Sequence, residues 1–236
     1  MTSGTFESPF PVEDREALAA QEQAYAGLAA SVRELVDACL RTRLAPGSAQ
    51  ELTDRLDAVT EALLAESQDG PLGLETCSDG RMRDHGNAMV GARNPLAPPL
   101  AIEWDGETAT ATGTLGPAYE GPPHHVHGGI IAAVLDQVLG HVPAALGRPG
   151  MTAYLNTTYE RPTPLGPVSV RARLVAQDGW KMTVTGELVL PDGEVSARAE
   201  GLFVVPRWAR QFVGTPTGDA GDFEAPARGM WARIMP

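Results

Sequence analysis

One stretch constrains this chain more than any other. Residues 127–140 read His-Gly-Gly-Ile-Ile-Ala-Ala-Val-Leu-Asp-Gln-Val-Leu-Gly, a Gly-rich entry running into an apolar helical segment that continues to about residue 146. At 100° per residue, Ile131, Val134, Leu135, Val138 and Val142 share one side of such a helix. Gly129, Ala132, Ala133, Asp136 and Gly140 share the other. The first side demands a concave apolar cover. The second combines small residues with one acid, so something must approach it closely. A buried, unpaired carboxylate is costly, so Asp136 belongs to a site or is compensated, as by an arginine.

The cover is legible on both sides of the helix. After Pro99 the apolar period becomes two, with strands expected over 100–104 and 107–114 around a hairpin turn at Asp105-Gly106. Four more are expected over 152–159, 168–177, 182–190 and 194–205, the last pair joined by Pro191-Asp192-Gly193. Val168, Val170, Ala172 and Leu174 fall on one face of their strand and Arg171 and Arg173 on the other. Two strands, one long helix and four antiparallel strands describe an α+β architecture, a curved sheet wrapped round a central helix.

Before this unit, residues 13–44 carry Leu18, Tyr25, Leu28, Val32, Leu35, Val36, Cys39 and Leu40 at helical spacing, closed by Arg41-Thr42-Arg43 and Pro46-Gly47. Ser48 with Glu51 three residues on predicts a capped second helix with the stripe Leu52, Leu56, Val59 and Leu63. The two are expected to form a hairpin laid on the main domain or on a partner chain. Residues 67–100 are rich in Gly and Pro and read as a linker or covering loop, with His85 a surface histidine. From Pro206 the chain is again Pro/Gly-rich, and Trp208, Phe212, Phe223 and Trp231 suggest a tail pinned over the surface. The expected organisation is a helical extension (1–70), a covering loop (71–95), the α+β domain (96–207) and a tail (208–236).

Composition removes several functions. The 236 residues carry 18 Lys+Arg against 30 Asp+Glu, a net charge of −12, which argues against binding nucleic acid or an anionic membrane. Cys39 and Cys77 form no metal or redox spacing. The first residues lack a basic start and an apolar run, and no uninterrupted apolar stretch approaches the ~18 residues of a membrane span. A soluble cytoplasmic protein is expected. Lys181 is the sole lysine.

The entry to the helix carries the chemistry. The first N–H groups of a helix lack internal partners and face a partial positive charge, and glycines there let a carbonyl oxygen approach the backbone. That is how an oxyanion is held, although Gly128-Gly129 could equally serve tight packing. Seven residues separate Gly129 from Asp136, roughly 10 Å along a helix. One reacting carbonyl cannot lie ~3 Å from both. If both serve one reaction they come from two subunits, which predicts a homodimer with two shared sites.

Further residues extend the pattern: Tyr119-Glu120-Gly121-Pro122-Pro123, His127-Gly128-Gly129 with Asp136 nine positions on, Met151-Thr152-Ala153-Tyr154-Leu155-Asn156, Tyr159-Glu160-Arg161-Pro162-Thr163-Pro164-Leu165, and Gly179-Trp180-Lys181. In this order and spacing, the segment from about 95 to 207 resembles the hotdog-fold acyl-CoA thioesterases, in the phenylacetate-pathway (PaaI-like) branch. The resemblance implies that Asp136 activates water or attacks the thioester carbonyl itself, while the Gly129 N–H polarises that carbonyl. His127 would orient the loop or bond the substrate, and Thr152 would help position the water. Gly128 would lie against the substrate, and Thr158, Glu160, Arg161, Trp180 and Lys181 would contact coenzyme A, with Lys181 at a phosphate and Trp180 on adenine. No metal or cofactor is implied beyond the coenzyme A of the substrate, and the assembly would be a homodimer or a dimer of dimers. Two positions depart from the pattern. Gly121 stands where one subgroup has Asn, and Glu160 is acidic where a base would suit phosphates. A hotdog hydratase or dehydratase and a non-catalytic acyl-CoA-binding or scaffold protein are the alternatives.

Overall fold

The computed structural model describes residues 14–70, 74–76, 82–207 and 209–210; Cys77 and the aromatics of the C-terminal segment lie outside the described residues. Two helices come first, α1 (Arg15–Arg41) and α2 (Pro46–Leu64), then two short strands, β1 (Leu74–Thr76) and β2 (Met82–Asp84). The hairpin β3 (Ala101–Trp104) and β4 (Thr108–Leu115) leads through a 3-10 turn (Pro117–Tyr119) to α3 (Gly128–Ala145). Strands β5 (Met151–Tyr159), β6 (Gly166–Asp178), β7 (Lys181–Val189) and β8 (Val195–Val204) complete the domain.

Strands β3 to β8 form one antiparallel sheet in the order β3-β4-β6-β7-β8-β5, and α3 lies against its inner face. This is the expected hotdog arrangement, a helix wrapped by a curved sheet. The period-two pattern explains the packing. Val168, Val170 and Ala172 of β6, Val184 and Leu188 of β7, and Ala197, Ala199 and Phe203 of β8 bury their side chains inward. They meet Ile131, Val134, Leu135, Val138, Leu139 and Val142, the apolar side of α3. Gly186 on β7 permits the close approach: a Cβ there would stand 2.5 Å from Leu139 Cδ1 and 2.8 Å from Arg171 O.

The outer face alternates with the inner one and is polar. Arg171, Glu187 and Arg198 are cross-strand neighbours on it, as are Arg173, Thr185 and Glu200. Strand β5 closes the sheet by pairing with β8, and among the described residues nothing pairs with its other edge. Met151, Tyr154 and Tyr159 on this edge are exposed.

The N-terminal extension differs in detail from expectation. Helix α1 starts behind Asp14, whose Oδ1 accepts hydrogen bonds from the Glu16 and Ala17 amides. It is tied to residues 83–97 at three points. Glu22 pairs with the buried Arg83 at 2.5 Å, the Arg93 guanidinium lies 3.7 Å over the Tyr25 ring, and Arg33 donates to the Asn94 and Ala97 carbonyls. Helix α2 begins at Pro46 behind Ala45, with no side-chain cap, so Ser48 is not its cap. Proline is suited to a first helical turn because the N–H it lacks would be unsatisfied there. No residue of α2 is buried, and Leu52, Leu56, Val59 and Leu63 remain exposed. The covering segment contains β1 and β2, which its density of glycine and proline concealed. His85, in the turn after β2, is no surface histidine: it is 6% exposed.

Candidate active site

Asp136 sits on the side of α3 that faces away from the sheet's centre, and it is half-buried. Its Oδ1 accepts a hydrogen bond from Thr152 Oγ at 2.9 Å. No arginine pairs with it among the described residues. The meeting with Thr152 depends on a β-bulge. Between Thr152 and Tyr154 the register of β5 on β8 shifts by one residue, so side chains two apart point to opposite faces. Thr152 turns in to Asp136, while Tyr154 turns out and donates to Glu200 at 3.0 Å. That bond to a carboxylate raises the Tyr154 phenol above its ordinary pKa.

The start of α3 is organised by His127, its N-cap, with φ −61° and ψ 132°. His127 Nδ1 accepts the Gly129 N–H at 3.0 Å, so in the neutral ring the hydrogen resides on Nε2. The Ile130 and Ile131 amides donate to His127 O. Of the first-turn donors, only the Gly128 N–H lacks an acceptor among the described residues. The structure thus commits the Gly129 donor to its own cap and leaves Gly128 open, a distinction of one residue that spacing alone could not make.

The loop carrying His127 is held on several sides. His127 N donates to Tyr119 O at 2.9 Å, Val126 N to Thr163 O at 2.8 Å, and His124, at φ 65°, binds the Glu120 carboxylate through its amide. Tyr119 Oη reaches Leu96 O at 3.2 Å, which links this loop to the segment under α1. Burial raises the Tyr119 phenol pKa and the nearby Arg33 charge partly offsets it. Gly121 is required here: a Cβ would stand 2.7 Å from His127 Cα. The absence of Asn at this position therefore reflects the tight fold of the loop against its histidine. Tyr159, to which the sequence assigned no role, donates from Oη to Gly128 O at 2.8 Å. Its place at the inward-facing end of β5 is the signal that could have found it.

The remaining candidates are spread along the sheet. Thr158 faces outward beside Arg198. Glu160 pairs with Arg198 at 2.7 Å, which accounts for an acid at that position, and Arg198 also binds Glu187. Arg161 binds Glu194 at 2.9 Å beside the β7–β8 turn. Trp180 and Lys181 lie at the opposite end, where β6 turns into β7. Lys181 is exposed, while Trp180 packs on Val205 and Ala209 with the Arg210 guanidinium 5.2 Å from its ring centre. One face of Trp180 is therefore already covered. Beyond Asp136 on α3, burial holds the pKa of His141 below its ordinary value.

A recess of about 740 Å³ opens on the outer face, lined by Thr158, Arg171, Arg173, Glu187, Arg198 and Glu200. Asp136 and Gly128 lie on the other side of the sheet, so this recess is separate from them. Among the described residues, no three of His, Cys, Asp and Glu gather closely enough to hold a metal ion.

The chain is similar to several known proteins. Residues 124–197 match the model of the Thioesterase superfamily. A 55-residue stretch, 23% of this chain, is 44% identical to acyl-coenzyme A thioesterase THEM4 of Xenopus laevis; the match spans a quarter of that curated relative. A solved phenylacetic acid degradation-related protein from Ralstonia eutropha JMP134 is 28% identical over 45% of this chain and 84% of its own, with a TM-score of 0.42. A solved thioesterase superfamily protein is 36% identical, over 76% of this chain and 94% of its own, with a TM-score of 0.69. With that extent of shared sequence and fold, the chain belongs to the thioesterase superfamily.

Proposed function

We propose that this protein hydrolyses acyl-CoA thioesters as a homodimer, Asp136 of one protomer and the first turn of α3 of its partner acting on one carbonyl. The observation that carries the reading is Asp136 itself, half-buried, paired with no cation among the described residues and held by the Thr152 hydroxyl through one oxygen. That bond leaves Oδ2 to take a proton from water. The water oxygen attacks the thioester carbon, and the carbonyl oxygen takes up the negative charge. The free Gly128 N–H and the outward Nε2–H of His127 are donors suited to that oxygen. The C–S bond then breaks, and the proton on Asp136 passes to the departing thiolate. A thioester lacks amide resonance and has a good leaving group, so one acid and a polarised carbonyl suffice. Direct attack by Asp136, through an anhydride that water then opens, uses the same groups.

The free edge of β5 supports the dimer. A long exposed edge strand with apolar side chains invites pairing, and a second β5 laid antiparallel satisfies it. Nine residues make this strand about 30 Å long, so within one protomer residues 158–161 and the Trp180–Lys181 turn are far apart. Antiparallel pairing brings residues 158–161 of one protomer beside the partner's Met151 and the neighbouring Lys181 turn. The candidate coenzyme A contacts then gather into one region, with Lys181, which makes no ion pair among the described residues, as a cation for a phosphate.

The reading is tested by thiol release from aliphatic and aromatic acyl-CoAs of increasing size. Turnover with at least one class is expected. Binding without turnover across the panel would replace the hydrolase by an acyl-CoA-binding protein.

A further inference from the structure

Tyr159 ends β5, and its ring is 50% exposed, so the side chain adds little to the core. It nevertheless turns toward α3. Oη donates to Gly128 O at 2.8 Å, and the phenol lies 3.5 Å from where a Cβ on Gly128 would stand. Gly128 C=O and Gly129 N–H belong to one planar peptide. Tyr159 holds that peptide by its oxygen and His127 Nδ1 holds it by its hydrogen. A peptide gripped at both ends cannot rotate about its flanking bonds, although glycine on both sides would otherwise make it the most mobile unit of the turn. The peptide before it, which carries the Gly128 N–H, is held through His127 O by the Ile130 and Ile131 amides, and the Tyr159 bond braces the peptide on the other side of Gly128.

We propose that Tyr159 is a positioning residue of the active site, a phenol clamp that braces the first turn of α3 from which the Gly128 N–H projects. The inference rests on the thioesterase reading given above. It gives a role to a side chain that neither touches Asp136 nor reaches it. Because Tyr159 belongs to the edge strand proposed to pair between protomers, the clamp also joins dimer contact to the geometry of the oxyanion donor. A hydrogen bond accepted at Gly128 O polarises the same peptide whose N–H the His127 ring receives, and successive bonds of this kind strengthen one another.

The test compares Tyr159→Phe with Tyr154→Phe in the full-length protein. Tyr154 lies on the same strand, but its hydroxyl binds Glu200 on the outer face. For Tyr159→Phe we expect kcat to fall about tenfold, the worth of one ordinary hydrogen bond, with KM changed less than about twofold. Amide exchange at residues 128–131 should quicken while the rest of α3 keeps its protection. Tyr154→Phe should leave kcat and this exchange unchanged. Wild-type protein that hydrolyses no acyl-CoA would sink the thioesterase reading, and the clamp with it. Wild-type turnover with an unaltered Tyr159→Phe kcat, or equal losses in both variants, would overturn the clamp alone.

Discussion

Strand β5 touches the start and middle of α3 at two points, and the two are built differently. Near its first residue the contact is side chain to side chain, Thr152 hydroxyl to Asp136 carboxylate. At its last residue the contact is side chain to backbone, Tyr159 hydroxyl to Gly128 carbonyl, beside an N–H supplied by no side chain at all. The acid end can be edited one functional group at a time. The glycine end works through conformation, and substitutions there act by removing a donor or letting a peptide turn. Both ends lie on one helix about 12 Å apart, too far to share a carbonyl within one protomer.

The sharpest way to break this contrast is at the acid end. Asp136→Asn keeps the shape and removes the proposed base, and kcat should fall ~10²–10⁴-fold with little change in KM. Unaltered single-turnover rates would remove Asp136 from the chemistry. At the glycine end, Gly128→Pro deletes the first-turn N–H that has no acceptor among the described residues. Proline suits the first helical position, and His127 already has the extended backbone that a residue before proline requires. We expect kcat to fall ~10²–10³-fold while circular dichroism shows the fold kept; a folded variant with normal kcat would contradict the donor's role.

Thr152 offers a finer comparison. Thr152→Ser preserves the hydroxyl and should retain most activity, whereas Thr152→Ala should lose about tenfold in kcat. Equal behaviour of the two would mean that the methyl group, and not the bond to Asp136, matters. The smallest effect concerns His141. Burial lowers its folded pKa below the unfolded value, so the unfolded chain binds the proton more readily as pH falls. Stability should decline as pH drops through the ordinary histidine range toward the depressed folded value. His141→Gln should flatten that part of the curve in thermal unfolding followed against pH, and an identical slope would show that His141 does not contribute to it.

How much of this was legible in the sequence follows from what each feature depends on. The two sides of α3, the inward valines of β6 and the hairpin at Asp105-Gly106 follow from local period and turn chemistry, and they stand as expected. The helical extension was legible too, but not that α2 starts at Pro46 or that its stripe is left exposed among the described residues. Ser48 and Glu51 have the form of a cap, yet Pro46 two residues earlier already had the backbone to begin the helix. Burial of His85 has no local period to announce it.

At the site, the small-residue side of α3 and its single acid pointed to Asp136. The ordered motifs placed Thr152 nearby, although only the bulge after it makes the side chain turn inward. That the His127 ring accepts the Gly129 N–H, and leaves the Gly128 N–H without an acceptor among the described residues, could not be read from spacing. Glu160 was puzzling in isolation, since its partner Arg198 is 38 residues away on β8.

The central claim, that two protomers build each site, is tested most directly by mixed dimers. Asp136→Asn and Gly128→Pro chains carrying different tags would be co-expressed and the heterodimer isolated through both tags. If acid and donor come from opposite protomers, one of its two sites contains both groups intact, and the heterodimer should recover about half the wild-type turnover. If they act within one protomer, both sites stay damaged and the heterodimer remains as slow as its parents.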